Sequence, residues 1–206
     1  MDPSVARLSR MATSTLGHFI DEGFLDPQIR PVFRPVKLAG RALTVSAPPR
    51  DNAIYRQAIR QAKPGEVLVI HRNGDVRHGS FGGLLALAAR NAGIAGAVLD
   101  GPCTDLAELT ELGLPVFSLG VSALTTRRLH LGGTVGEPIT CGGVRVAPGD
   151  YVLGDDDGVL VIPAGRIEAV LERGEAAMDR EAATRRYLLS GATLDEIDAI
   201  RGEGQR

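Results

Sequence analysis

Two carboxylates five residues apart mark the first place where this chain could do chemistry. In LDGPCTDLAEL, residues 99–109, Asp100 stands at a turn and Asp105 opens an apolar-periodic run. Asp105 followed by Glu108 has the D-x-x-E spacing of a helix-capping arrangement, and an Asp cap is worth about 1 kcal/mol. The same carboxylate also follows a buried strand closely, at the carboxyl end where open α/β sheets bind ligands. One carboxylate plus waters suits Mg²⁺, which keeps much of its hydration shell. Local pattern leaves both roles open.

A second stretch, GSFGGLLALAA at 79–89, places Ser80, Gly82 and Gly83 where a loop turns into a helix. Unpaired N–H groups and the helix dipole favour an anion there, such as a carboxylate or phosphate. A tight loop needing glycine for its turn explains the same residues. The acidic run at Asp155–Asp157 resembles a cation site, but adjacent strand residues point to opposite faces, so a turn role is expected. His18, His71, His78 and His130 are scattered, with no Ser or Cys motif beside them, and no G-x-x-x-x-G-K-[ST] loop is present; nucleophile and NTPase chemistry are not indicated. Cys103 and Cys141 lack metal-type spacing and do not make a disulfide framework.

Regular elements must hold these residues in place. Residues 3–20 read as a helical lead-in ahead of Gly23, and 38–48 as a strand. Residues 51–62 read as a helix with an Asp or Asn cap, and 66–72 as a buried strand. A helix ending at Gly93, a strand at 95–100, a short helix at 105–113 closed by Gly113 and a strand at 114–120 continue the alternation of βαβ units. From residue 130 to 163 short strands separated by Gly- and Pro-bearing turns are expected. A long amphipathic helix at 164–189, interrupted by Gly174, and a last short helix opened by the capping box at 193–196 complete the chain.

The chain has 206 residues, enough for one sizeable core, and no linker or repeat divides it, so a single domain over 1–206 is expected. Aromatic residues make up 4% with no Trp, so the core must be built from Ala, Val, Leu and Ile. A net charge of −2 without long basic runs argues against nucleic-acid binding. No apolar run long enough to cross a bilayer or serve as a signal core is visible, so a cytoplasmic protein without membrane contact is expected.

Taken in order, DNAIYRQAIRQAKPGEVLVI, FGGLLALAARNAGIAGAVLDG, TDLAEL with GLPVFSLG, and PGDYVLGDDDGVLVIP resemble the RraA-like family over roughly residues 38–165. That family contains regulators of ribonuclease E and metal-dependent 4-hydroxy-4-methyl-2-oxoglutarate aldolases, which also decarboxylate oxaloacetate. The resemblance implies an α/β fold of the swivelling β/β/α type, with a partly parallel sheet, a β-rich C-terminal half and C-terminal helices at about 164–200. It also implies homotrimers or homohexamers with sites between subunits. It places the metal-binding aspartate on Asp105 and the carboxylate-holding backbone on Gly82, Gly83, Leu84 and Leu85, with Asp100 and Gly101 shaping a turn.

Two departures from the family pattern stand out. Where the catalytic members carry Arg before the aspartate, this chain has Thr104; where an acid often follows the glycine of the helix start, it has Gly83. Arg72, Arg77, Arg127 and Arg128 are candidates to stand in for the missing guanidinium. Glu172, Glu175 and Glu181 are candidates for the acid that the family draws from a neighbouring subunit. The resemblance implies a Mg²⁺- or Mn²⁺-dependent lyase acting on a small 2-keto acid and releasing pyruvate or an analogue, with Thr104 and Asp105 at the reacting centre. Its alternatives are a non-catalytic regulator, a group that usually lacks the metal aspartate, and a scaffold redirected to another biosynthetic reaction.

Overall fold

The computed structural model describes residues 2–201. Two short helices, α1 (Pro3–Leu8) and α2 (Thr13–Gly17), precede β1 (Arg30–Pro31) and the ten-residue β2 (Lys37–Ser46). The alternation expected from periodicity follows: α3 (Ala53–Gln61), β3 (Glu66–His71), α4 (Gly83–Asn91), β4 (Gly96–Leu99), α5 (Leu106–Leu112) and β5 (Val116–Ser118). The β-rich part contains β6 (Thr134–Val135), β7 (Ile139–Cys141), β8 (Val144–Val146), β9 (Tyr151–Asp155) and β10 (Gly158–Ile162). Helices α6 (Ile167–Leu189) and α7 (Leu194–Arg201) complete it.

Strands β2, β3, β4 and β5 are parallel neighbours, and the main sheet runs β1-β5-β4-β3-β2-β9-β10 with antiparallel pairing at both flanks. Its period of two sorts side chains between faces. Leu68, Ile70, Ala97, Leu99 and Val116 meet α3, α4 and α5 on one face. Val67, Val69, Val98 and Phe117 meet the β7–β8 hairpin on the other. A third cluster forms where α1, α2 and α6 cover β9 and β10. The partly parallel α/β architecture with a β-rich second half is therefore as expected.

Two helical expectations need correction. The lead-in is broken at Ser9–Ala12 because Met11 turns into the core and Thr13 donates both its N–H and its hydroxyl to Asp155, at 2.7 and 2.6 Å. Those bonds, with Val36 N–H donating to Asp156, also make the acidic run a turn scaffold. Helix α6 passes through Gly174 without interruption. Glycine is there for closeness: a Cβ at this position would lie 2.6 Å from Met11 Sδ. The capping box at 193–196 forms, with Glu196 accepting from Thr193 N–H at 2.8 Å.

Buried carboxylates pin the loops above the parallel strands. Asp51, fully buried, accepts from the N–H groups of Ala53, Leu129 and Leu131 at 2.9, 3.0 and 2.7 Å, tying the start of α3 to the loop before β6. Burial alone would raise its pKa, but these backbone donors outweigh burial and hold it below the usual carboxylate range. Asp75 is likewise held low: the His78 ring, the backbone N–H groups of Arg50, Arg77 and His78, and Arg72 surround it. With both folded-state pKa values depressed, the stability they contribute is present above the unfolded value of about 3.9 and is lost as pH falls below it. Thermal unfolding is expected to shift sharply downward on acidification toward about pH 3. Asp51→Asn, which turns an amide NH₂ onto N–H donors, is expected to cost about 2 kcal/mol or more at neutral pH and to flatten that acid dependence; urea titrations across the range measure both.

Candidate functional site

Beyond the carboxyl ends of the parallel strands, three loops lie side by side. Residues 79–82 run between 102–105 and 122–126, joined by Gly79 N–H to Leu124 O at 2.8 Å, Ser80 N–H to Pro102 O at 3.0 Å and Thr104 N–H to Phe81 O at 3.1 Å. Gly79 allows this approach, since a Cβ there would meet Ser122 O at 2.5 Å. A buried polar chain fixes the middle loop from below. Arg72 donates to Asp75 at 3.1 Å and to Tyr55 Oη at 3.1 Å, and Tyr55 donates to Ser80 Oγ at 3.0 Å. The Ser80 hydroxyl therefore anchors the loop, and Arg72, fully buried in this chain of contacts, is no stand-in for a substrate-facing guanidinium.

The loop ribbon delivers Asp105 to the start of α4. Its backbone is left-handed, φ 57° and ψ 44°, a conformation that costs a non-glycine residue about 1–2 kcal/mol. The side chain makes no capping bond to its own helix. Instead Oδ2 accepts the Gly83 N–H at 3.0 Å, while Oδ1 accepts the Thr104 hydroxyl at 3.2 Å. Of the two roles that local pattern left open for Asp105, the D-x-x-E cap on α5 is thus not formed. Asp105 caps the neighbouring helix with one oxygen and keeps the other on an exposed side chain under one weak neutral bond.

Both glycines of the α4 start have an acidic side chain in the space of their missing Cβ. A Cβ on Gly82 would lie 2.3 Å from Asp105 Oδ2, and one on Gly83 would lie 1.9 Å from Glu108 Oε2. Glu108 thus fills the space of the side chain that residue 83 lacks. Periodicity offered a signal for this, since Asp105 and Glu108 share a face of α5 at i, i+3. What the sequence could not reveal is the helix start packed opposite. The first-turn N–H groups of Leu84 and Leu85 have no intrahelical partner by construction; Leu84 is 81% exposed and Leu85 is half-buried.

Other residues singled out above lie elsewhere. Asp100 accepts the Arg72 N–H and pairs with His71 Nδ1, both at 2.6 Å, so it locks the ends of β3 and β4 together. Glu175 is held by Arg7, Glu181 by Thr15, and Glu172 is exposed on α6. Cys103 and Cys141 are separate buried thiols, both pushed up by burial. Arg127 and Arg128 line a cleft of about 480 Å³ together with Arg56, Arg60, Leu84 and Leu85. Among the described residues no group of three or more His, Cys, Asp or Glu side chains could enclose a metal ion.

Comparison with known proteins matches the family description Aldolase/RraA to residues 13–161. The chain belongs to the RraA-like family. A Thermus thermophilus protein named 4-hydroxy-4-methyl-2-oxoglutarate aldolase is 33% identical over 153 residues, 73% of this chain and 92% of its own length. A Pseudomonas syringae structure superposes with a TM-score of 0.82 at 25% identity, covering 95% of this chain and 92% of the other. The RNA-processing inhibitor RraA of Thermus thermophilus superposes with a TM-score of 0.66 at 31% identity, covering 74% and 92%. The matched segment of this RraA-like chain ends at β10, ahead of α6.

The two glycines predict different responses. Gly82→Ala sets a methyl against the Asp105 carboxylate and its backbone-fixed bond, and is expected to cost about 1–3 kcal/mol. Gly83→Ala displaces only the end of an exposed Glu108 side chain and is expected to stay within about 0.5 kcal/mol. Chemical denaturation of the two variants compares them directly.

Proposed function

We propose that this chain is a lyase that cleaves a small 2-keto acid with a divalent cation, Mg²⁺ or Mn²⁺, held by Asp105. Relatives named as aldolases support the lyase class. The observation that carries the site is the divided carboxylate of the exposed Asp105, with Oδ2 bonded to the helix start and Oδ1 under a single hydroxyl bond from Thr104. One exposed carboxylate with no further ligating cluster fits a hard cation that keeps most of its water and does not fit a tetrahedral cage.

Bound there, the cation supplies Lewis-acid stabilisation of the charge that builds on the keto oxygen. The first-turn N–H groups of Leu84 and Leu85, at the positive end of α4, hold the substrate carboxylate. In retro-aldol cleavage the bond between the third and fourth carbons breaks and its electron pair enters the pyruvate fragment as an enolate. The 4-hydroxyl proton leaves as the second carbonyl forms, and the enolate carbon then takes up a proton. Glu108, lying over Gly83, is the acid placed to order water for these transfers. Thr104 has only a neutral hydroxyl, bonded to Asp105 Oδ1, where the catalytic pattern has a guanidinium, so intrinsic turnover is set low.

The site lies on a rim that suits burial against another copy. Leu84 at the start of α4 and Val121 and Leu124 in the segment after β5 are exposed, and exposed apolar side chains suit burial against another copy. Homotrimers or homohexamers with sites between subunits, in the cytoplasm, are part of this proposal. Among the described residues no helix is long and apolar enough to cross a membrane. A regulator without catalysis is the second reading, favoured by Thr104 and by likeness to the RNA-processing inhibitor.

Pyruvate release from oxaloacetate and from 4-hydroxy-2-keto acids, assayed with Mg²⁺, Mn²⁺ or EDTA, separates the two. Metal-dependent release abolished in Asp105→Ala supports the lyase. Equal negligible turnover in every condition favours the regulator. Thr104→Arg is expected to raise turnover about 10²-fold, by analogy with restoring one oxyanion donor.

A further inference from the structure

Four arginines line one cleft whose lining, among the described residues, includes no carboxylate. Arg56 and Arg60 stand one turn apart on α3, and Arg127 and Arg128 are neighbours on the loop before β6. Among the described residues none of the four forms an ion pair, whereas Arg7, Arg41, Arg72 and Arg166 each do. Like charges one helical turn apart repel, and adjacent arginines on a loop add to that repulsion. The arrangement is nevertheless fixed in place. Asn52 Nδ2 donates to Thr126 Oγ1 at 3.0 Å, and the buried Asp51 holds the N–H groups of Ala53, Leu129 and Leu131, so one carboxylate positions both carriers of the arginines.

The cleft measures about 480 Å³, within the range of small-molecule sites, and Leu84 and Leu85 of the α4 first turn form part of its wall. We propose that Arg56, Arg60, Arg127 and Arg128 form a subsite for a doubly charged anionic group, a phosphate or a pair of carboxylates, next to the α4 helix start. Arginine's planar fork bonds such oxygens two at a time, so a single carboxylate engages one guanidinium fully, whereas a dianion engages several. In its bearing on substrate choice this rests on the reading that the α4 start holds a keto-acid carboxylate. The substrate then carries its dianionic group at the end away from the reacting carbon, and monoanionic 2-keto acids are poor substrates.

The test uses the full chain without added metal, at ionic strength matched with chloride. Calorimetric titration with inorganic phosphate, malonate and acetate is done on the wild type, on Arg56→Gln/Arg128→Gln and on Arg60→Gln/Arg127→Gln. Saturable binding of phosphate or malonate, weakened about tenfold or more in both double variants and absent for acetate, is the expected result. The stronger of the two anions identifies the source of the dianionic group. Identical responses in wild type and variants, or no response beyond matched chloride, overturn the subsite. So does a variant that changes oligomer mass in sedimentation while the wild type binds neither dianion, since the cleft is then a contact between copies.

A parallel arm keeps the two readings apart. Because oxalate is itself a dianion, only the part of its thermal stabilisation that needs Mg²⁺, lost with EDTA and in Asp105→Ala, reports the α4 site and its cation. Dianion binding that persists where the oxalate shift is missing leaves the subsite standing and removes the lyase reading. An oxalate shift without dianion binding does the reverse.

Discussion

A single carboxylate reaching from one helix start to another organises this end of the molecule. Asp105 Oδ2 meets the Gly83 N–H only because residue 82 has no side chain, and because residue 105 takes a left-handed backbone. Each of these features is unfavourable alone. Two adjacent glycines lower the stability of a helix start, and a left-handed aspartate is strained. Together they place a carboxylate at the positive end of α4, where its charge is stabilised by the dipole. They also leave its second oxygen under one neutral bond, at the surface.

The parallel strands and their loops make that geometry rigid. Strands β2 to β5 end together, and the loops that leave β3, β4 and β5 hydrogen-bond edge to edge, the first two just before α4 and α5 begin. Beneath them, although Arg72 Nε has no partner among the described residues, the buried Arg72 bonds Asp75 and Tyr55 and Tyr55 bonds Ser80, which anchors the middle loop. Asp51 does the same for the loop before β6. Buried polar networks of this kind specify one arrangement because a partly satisfied alternative leaves charge stranded in low dielectric. The molecule thus holds its exposed chemistry on loops that are as constrained as its core.

Much of the frame was legible in the residues. EVLVIH and GAVL are apolar runs too short for helices and became β3 and β4; Gly113 closed α5 as expected. The misreadings share a cause. Gly174 looks like a helix break until Met11, from the other end of the chain, is seen to occupy its missing side chain. Asp105 and Glu108 look like a cap on their own helix until Gly82 and Gly83 are seen opposite. The arginine cleft draws on two segments far apart in sequence. Local pattern fixes elements, whereas these contacts depend on which element arrives across the gap.

The departures at residues 83 and 104 also look different once placed. Glu108 restores an acid to the space over Gly83, while of the arginines considered for the place of the guanidinium Arg72 is buried beneath the loops and Arg127 and Arg128 line the neighbouring cleft. The most direct measurement is anomalous scattering from crystals soaked with Mn²⁺ and oxalate. A peak beside Asp105 Oδ1, with oxalate oxygens on the Leu84 and Leu85 N–H groups, is the predicted result. No peak there, or one at Asp155–Asp157 or the His71–Asp100 pair with Asp105 unchanged, would contradict the assignment of this carboxylate as the cation's ligand.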